Sequence, residues 1–201
     1  MLKTKRLILN ELSVHDALAL FNIATRINEN VKKDDKYHPY YAFQLNEGEK
    51  LTDKVVNFIL KAKKEQKETP RKTYRYAIRK DNILIGSVAV DMIATIENDQ
   101  VILGDLGYFI DPLYGKQNYA HEACVAVLHQ FFAKHEQLDI TAHPDNLYSI
   151  RLIEKLGGEK TQYITNSNYS GEPRQKFIVS RSNFIKKLYY RPLLTEGKEH
   201  V

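Results

Sequence analysis

The chain has 201 residues, 43% of them hydrophobic, which is enough for one substantial core, since a domain of this size removes about 70% of its unfolded surface from water. Its apolar runs fall far short of the roughly 20 residues of a transmembrane helix, and Cys124 is the single cysteine. We therefore expect a cytoplasmic protein with no membrane partner and no disulfide framework. The net charge of +5 suits anionic partners, but 25 acidic residues lie among 30 basic ones, so charge does not separate nucleic acid from a phosphorylated cofactor.

The first part of the sequence predicts a strand, a helix, a loop and a second helix. Residues 6–12 alternate apolar and polar side chains like a half-buried strand, and the Ser-x-x-Asp signal at 13–16 caps a helix that ends near Arg26. Residues 28–48 are rich in aromatic side chains without a sustained period, which predicts a loop or broken helix beside a binding site. From residue 51 to 67 the apolar side chains recur at helical spacing and predict the second helix.

The centre of the sequence predicts an antiparallel meander followed by a crossover. Residues 73–79 and 83–93 flank a Lys-Asp-Asn turn, which is typical of a hairpin, and residues 100–110 supply a third strand. An apolar stripe at helical spacing over residues 120–131 leads to a short buried strand at 138–143. Strand, helix and strand in this order predict a right-handed crossover.

The last predicted elements are a capped helix and a hairpin. Asp145 or Asn146 caps the helix, and Gly157 ends it, because glycine accommodates the left-handed conformation common after a helix. Two strands at residues 160–165 and 174–180 then form the hairpin.

Two stretches carry a resemblance to a known family. "LGYFIDPLYGKQNYAHEA" (106–123) and "HPDNLYSIRLIEKLGG" (143–158) resemble the GCN5-related N-acetyltransferases (GNAT), especially the branch that acetylates ribosomal-protein N-termini. The resemblance covers residues 3–181 and implies one acetyltransferase domain over 1–182 with a C-terminal extension over 183–201. It also implies an α+β, three-layer fold, in which a central mixed, mostly antiparallel sheet of about seven strands is flanked by about four helices. Acetyl-CoA would be the co-substrate.

The turn between the strand and the helix of the first motif is a candidate phosphate site. A helix N-terminus presents N–H groups without intrahelical acceptors, and residues that are small or tolerate a left-handed backbone let it approach a phosphate. The resemblance implies that the diphosphate of acetyl-CoA is bound by Gly115, Lys116, Gln117, Asn118, Tyr119 and Ala120. The family carries glycine at the position of Asn118 and a polar residue at that of Gly115. A weaker or rearranged phosphate site is therefore an alternative, as is an ordinary loop without a ligand.

The resemblance also implies where the rest of the cofactor lies. The pantetheine arm would add as a strand to the backbone of Gly107, Tyr108, Phe109 and Ile110. For this the strand of Asp105 must splay from the strand of Asp139. Asn146 would hydrogen-bond the arm, and Ser149 would hydrogen-bond the sulfur. Many relatives have a tyrosine at the position of Ile153 as the acid, whereas the ribosomal-protein branch has an aliphatic residue there and relies on the serine. The alternatives are a plain N-cap for Asn146 and a small packed residue for Ser149.

Asp105 is the candidate general base. An amine attacks a thioester only as the neutral base, so a proton must leave it, and a carboxylate or a water held by one is the usual acceptor. The resemblance places Asp105 where similar proteins carry glutamate; the alternative is a solvated strand aspartate or an ion-pair partner. Glu122 is interpreted as mainly structural, since the helix dipole explains an acid in the first turn. A backbone N–H near Phe109 would polarise the carbonyl.

Other features of the sequence are interpreted as structural. His121 and His129 are eight residues apart where a helical metal pair needs a spacing of four, so we expect no metal. Cys124 lies on the apolar stripe and is expected to be a buried, inert thiol. The basic residues of 61–72 end a helix and are expected to be solvated, without a specific nucleic-acid partner.

The sequence thus predicts acetyl transfer from acetyl-CoA to an amine acceptor. A peptide or protein N-terminus is the leading acceptor by resemblance, and a small amine such as a polyamine, an amino acid derivative or an aminoglycoside is the alternative. A degenerate module that binds acyl-CoA without turning it over, or a basic RNA-binding domain, are competing interpretations, and a homodimer stays open.

Overall fold

The computed structural model describes residues 1–33, 43–97, 100–165 and 173–189. Its strands are β1 (Leu2–Lys3), β2 (Ile8–Asn10), β3 (Thr73–Lys80), β4 (Ile83–Glu97), β5 (Gln100–Ile110), β6 (Gln137–Ala142), β7 (Gly158–Thr165) and β8 (Pro173–Ser180). Its helices are α1 (Ala17–Lys33), α2 (Leu51–Lys67), α3 (Tyr119–Phe132), α4 (Leu147–Lys155) and α5 (Arg181–Tyr189). Short 3-10 helices lie at Val14–Asp16 and Pro112–Tyr114.

The strands form two sheets. One has the order β1-β2-β3-β4-β5 and the other β6-β8-β7, and every paired strand in them runs antiparallel to its neighbour. Strands β5 and β6 lie side by side, although within the described part of the chain no hydrogen-bonded ladder joins them. The predicted α+β fold is confirmed, with eight strands rather than about seven and five α-helices rather than about four among the described residues.

Helices cover both faces of the five-stranded sheet. On one face, α1 and α2 pack against the sheet around Leu20, Ile23, Phe58 and Phe109. On the other face, α3 packs against both sheets in a second core that includes Val88, Cys124, Leu128, Leu138 and Phe177. Each of these fully buried side chains stabilises the fold by about 1.5–3 kcal/mol through its removal from water. The three layers follow from this arrangement.

Helix α1 begins as predicted and ends later than predicted. The backbone N–H of Ser13 donates to Asp16 Oδ2 over 2.8 Å, which completes the capping box before the helix. The helix then continues past Arg26 to Lys33, so the first residues of the predicted 28–48 loop are helical. The apolar face continues through Ile27, which is buried, and this contact extends the helix. The aromatic residues at 37–41 lie outside the described residues.

The C-terminal helix α5 was not predicted. It begins at Arg181 and therefore runs across the predicted boundary between domain and extension at residues 182 and 183. Phe184 is 1% exposed, and its ring centroid lies 5.1 Å from that of Phe132. Gly157, with φ of +93°, lets the backbone of Asn183 approach to 2.8 Å from where a Cβ would stand. The start of the predicted extension is thus part of the second core.

None of the helices in the described ranges is both long enough and apolar enough to cross a membrane.

Candidate active site

A cleft of about 340 Å³ opens where β5 ends, between the turn that leads into α3 and one face of α4. It is lined by Tyr108, Ile110, Tyr114, Gly115, Lys116, Gln117, Asn118, Tyr119, Ala120, His121, Tyr148, Arg151, Leu152 and Lys155. This volume lies at the lower end of the range for small-molecule sites. Eight of the predicted cofactor-binding residues line it, namely Tyr108, Ile110 and the whole turn from Gly115 to Ala120.

An ion pair with helix α1 fixes the start of this turn. Asp111 is 2% exposed and accepts two hydrogen bonds from the guanidinium of Arg26, over 2.8 Å from Nε and 2.6 Å from Nη2. The same carboxylate accepts from the backbone N–H of Leu113 over 3.1 Å and thereby caps the 3-10 helix before the turn. The hydrogen bond to Asp111 raises the pKa of Arg26, so the guanidinium keeps its positive charge.

The two residues of the turn with a left-handed backbone are Lys116 and Asn118, and neither is a glycine. Asn118 has φ of +62° and ψ of +16°, and Lys116 has φ of +59°. Gly115 is extended, with φ of −63° and ψ of +163°. Asparagine tolerates the left-handed region, whereas at Lys116 it costs about 1–2 kcal/mol. Helix α3 starts at once, and the N–H groups of its first turn have no intrahelical acceptor.

Ser149 is not among the residues that line the cleft, but it is bonded to one that does. Its Oγ accepts a hydrogen bond from the hydroxyl of Tyr108 over 3.1 Å, and its backbone N–H donates to Asn146 Oδ1 over 3.1 Å. Asn146 is thus the N-cap of α4, as the sequence predicts, and a cap leaves its contact with the cofactor arm a prediction. Burial raises the pKa of Tyr108, which keeps its hydroxyl protonated and able to donate.

Asp105 faces the opposite side of β5 from Tyr108. Side chains alternate along a strand, and Phe109 packs in the core under α1 and α2 whereas Tyr108 and Ile110 contact the core under α3. Asp105 therefore points to the α1 and α2 side, together with Gly107 and Phe109, which do not line the cleft. Asp105 lies directly opposite Asp91 of β4, and its Oδ1 accepts from the N–H of Leu106 over 2.9 Å.

A sequence profile described as "Acetyltransferase (GNAT) domain" matches residues 6–159, more than half of the chain. The chain belongs to the GNAT acetyltransferase family. The match contains both stretches that carried the resemblance, and the recognition of the family is confirmed. No curated protein matches this GNAT sequence.

Solved structures share the fold of this GNAT chain at low sequence identity. Mycobacterium smegmatis RimJ, in complex with CoA-disulfide, is 12% identical with a TM-score of 0.66, over 88% of this chain and 82% of RimJ. A Vibrio cholerae protein described as a proposed ribosomal-protein-serine acetyltransferase is 20% identical with a TM-score of 0.65, over 89% and 96%. The aminoglycoside acetyltransferase AAC(6′)-Ib, in complex with paromomycin and acetyl-CoA, is 14% identical with a TM-score of 0.66, over 90% and 97%. At these identities the likeness shows the fold alone.

The carboxylate of Glu122 is bound by residues near the N-terminus. Glu122, in the first turn of α3, accepts hydrogen bonds from Thr4 Oγ1 and from the backbone N–H and Nε of Arg6. Burial favours the neutral acid, but these hydrogen bonds outweigh it and lower the pKa of Glu122. Its carboxylate anchors the N-terminal residues to α3, as the structural interpretation of the sequence has it.

The structure adds basic residues to the GNAT cleft that the sequence reasoning missed. Arg151 and Lys155 line it from α4, and His121 lines it from the first turn of α3. The signal for the first two was available, because residues four apart on a helix share one face. For His121 the sequence gives no signal of a place in the cleft. In residues 1–33, 43–97, 100–165 and 173–189, no three His, Cys, Asp or Glu side chains converge as a metal site would require.

Cys124 is fully buried, and burial raises the pKa of its thiol. The thiolate is the nucleophilic form of cysteine, so a thiol held neutral in an apolar core is inert. Cys124 therefore belongs to the core rather than to the chemistry of the cleft.

Proposed function

We propose that this GNAT domain transfers the acetyl group of acetyl-CoA to an amine. The observation that carries the proposal is the cleft between the turn at 115–120 and α4, where a helix N-terminus, Lys116 and a left-handed backbone meet. Such a set of N–H donors suits a diphosphate. The complexes of RimJ with CoA-disulfide and of AAC(6′)-Ib with acetyl-CoA support the assignment by analogy of fold.

The pantetheine arm would lie along the free edge of β5. That strand ends the five-stranded sheet, and its neighbour β6 belongs to the other sheet. An amide-rich chain can add to such an edge by hydrogen bonds to the backbone of residues 107–110. The acetyl group would then sit in the gap between the two sheets, with the cleft on one side of β5 and Asp105 on the other.

In the proposed reaction the neutral amine nitrogen attacks the thioester carbonyl carbon. A C–N bond forms, the C–S bond breaks, and the proton of the amine passes to Asp105, directly or through a water. A backbone N–H of β5 near Phe109 would stabilise the developing oxyanion. The sulfur leaves as a thiolate, which is a good leaving group, and the hydroxyl of Ser149 would hydrogen-bond it.

The acceptor in this proposal is the α-amino group of a peptide or protein. The likeness to RimJ and to the Vibrio cholerae protein supports it. One observation favours a second acceptor class, because Asp91 and Asp105 lie directly opposite each other on the face under α1 and α2. Two adjacent carboxylates attract a cation, so a polyamine or another small cationic amine is the second candidate.

The test is release of CoA thiol from acetyl-CoA across a panel of N-terminal peptides and small amines. We expect turnover with at least one acceptor, lowered about 100-fold in Asp105→Asn, reduced less in Ser149→Ala and retained in Glu154→Gln, a matched exposed acid on α4. Binding of acetyl-CoA without thiol release for any amine would instead indicate a degenerate binding module. No binding of acetyl-CoA at all would overturn the proposal.

A further inference from the structure

Helix α4 presents two basic side chains to the cleft. Arg151 and Lys155 are four residues apart, so they lie on one face of α4, and both line the cleft across from the turn at 115–120. The helix dipole accounts for a lysine in the last turn but not for an arginine one turn earlier. The presence of both basic side chains on this face therefore indicates a negatively charged partner.

That partner does not come from the surroundings of the cleft. Among the described residues, neither Arg151 nor Lys155 takes part in an ion pair, and the residues that line the cleft include no aspartate or glutamate. Lys116 faces the same space from the turn. Burial, and then the charge of Lys155, lowers the pKa of His121, so a proton there is already disfavoured by positive charge. Within the part of the chain that the structure describes, the cations of the cleft therefore have no counter-ion.

The number of cations exceeds what a diphosphate at the turn requires. Acetyl-CoA carries a second phosphate, the monoester on the 3′-oxygen of its ribose, which bears a charge of about −1.5 to −2 at neutral pH. We propose that Arg151 and Lys155 bind this 3′-phosphate and make the protein select acetyl-CoA over its 3′-dephospho form. The inference rests on the proposed function, since it concerns the same ligand. A planar guanidinium can bond two phosphate oxygens at once, and the lysine adds a point charge.

The test compares two ligands, acetyl-CoA and acetyl-3′-dephospho-CoA, by calorimetric titration of the whole chain. We expect the parent protein to bind acetyl-CoA about 10-fold more tightly, as one or two charge-assisted hydrogen bonds at an exposed site would give. In the double variant Arg151→Gln/Lys155→Gln the two affinities should agree within about 2-fold. The affinity for the dephospho ligand should stay that of the parent, which also shows that the variant is folded.

The matched control is Lys64→Gln/Lys67→Gln, which removes the same charge from the last turn of α2 on the opposite face of the sheet. It should keep the preference of the parent. Equal affinities of the parent for the two ligands, or an equal loss of both in the double variant, would overturn the inference and leave the proposed function standing. Failure of both ligands to bind the parent would overturn the proposed function and this inference together.

Discussion

The hydroxyl of Tyr108 donates a hydrogen bond to Ser149 Oγ over 3.1 Å and so connects the end of β5 to the first turn of α4. Because Tyr108 is the donor, the proton of the Ser149 hydroxyl is directed elsewhere. Burial raises the pKa of Tyr108, so this direction persists at neutral pH. In the proposed reaction the two hydroxyls therefore act as one unit at the leaving sulfur.

Tyr108→Phe and Ser149→Ala should each lower kcat about 10-fold, the value of one hydrogen bond, with little change of KM for acetyl-CoA. The loss is limited because a thiolate leaves readily. The double variant should be no slower than the slower single variant, since both belong to one hydrogen-bonded unit. Thiol release under saturating acceptor measures this. Additive losses would show that the two hydroxyls act independently.

Loss of the Asp111 carboxylate should destabilise the fold strongly. Asp111→Ala leaves the guanidinium of Arg26 without its partner and removes the cap of the 3-10 helix, so we expect a loss of about 3 kcal/mol in the free energy of unfolding. Urea unfolding measures it. The matched control is Glu136→Ala, which breaks an exposed ion pair with Arg181 at 2.8 Å and should cost less than about 1 kcal/mol. Equal costs would refute the role of Asp111 as an anchor of the turn.

Two positions with a left-handed backbone, Asn118 in the turn at 115–120 and Asn82 in the β3–β4 turn, allow an effect on acetyl-CoA binding to be distinguished from an effect on stability. Asn118→Val should cost about 1–2 kcal/mol and weaken acetyl-CoA binding, whereas Asn118→Gly should preserve both. Asn82, which has φ of +65° in the β3–β4 turn, is the matched control. Asn82→Val should cost about as much stability and leave the acetyl-CoA affinity unchanged, as thermal unfolding and calorimetry would show. A weakened affinity in Asn82→Val would mean that destabilisation alone explains the effect.

Substitutions of Asp91 and Asp105, which lie opposite each other, should affect different kinetic parameters: KM for Asp91 and kcat for Asp105. Asp105→Asn should lower kcat by about 100-fold, because the neutral amide cannot accept the proton of the amine. Asp91→Asn should raise KM for a cationic acceptor and leave kcat nearly unchanged, because it removes only attraction. Steady-state kinetics with a peptide and a polyamine distinguish these outcomes. A larger fall of kcat in Asp91→Asn than in Asp105→Asn would reassign the base.

His121 should make stability depend on pH. Its pKa is lowered from the ordinary value of 6.5, so the unfolded chain binds a proton more readily than the folded one. Stability is therefore lost as the pH falls through the unfolded pKa towards the lower, folded one. Relative to the parent, His121→Gln should lose less free energy of unfolding between about pH 7 and pH 5. Denaturant titrations at several pH values test this, and parallel curves for the two proteins would refute it.

The elements with strong local signals could be read from the sequence. The predicted bounds of α2 agree with the observed Leu51–Lys67, and β5 runs over Gln100–Ile110 as predicted, because apolar periodicity and turn residues determine both. Helix α5 was missed because its packing rests largely on one buried residue, Phe184, within a polar stretch. A single tertiary contact leaves no periodic pattern in the sequence.

The part of the candidate site that is continuous in sequence could be predicted, whereas the contacts between residues far apart in sequence could not. The turn at 115–120 is continuous in sequence, so one motif identified it. The cations of α4 reach the cleft only through the packing of α4 against β6 and β7, and the bond between Tyr108 and Ser149 joins residues 41 positions apart. Strand alternation puts Asp105 and Tyr108 on opposite faces of β5, but which helices cover each face depends on tertiary packing. None of these relationships is local.

Leu7 and Phe184 stand near the two ends of the described chain and yet belong to the same core. During synthesis the first strands leave the ribosome long before α5 exists, so this core stays open until α5 emerges. A nascent chain arrested within β8 would present the apolar side of α3 to solvent, where chaperones or other nascent chains could bind it. Closure of this core therefore waits for the synthesis of Phe184, although most of its other members precede that residue in the chain.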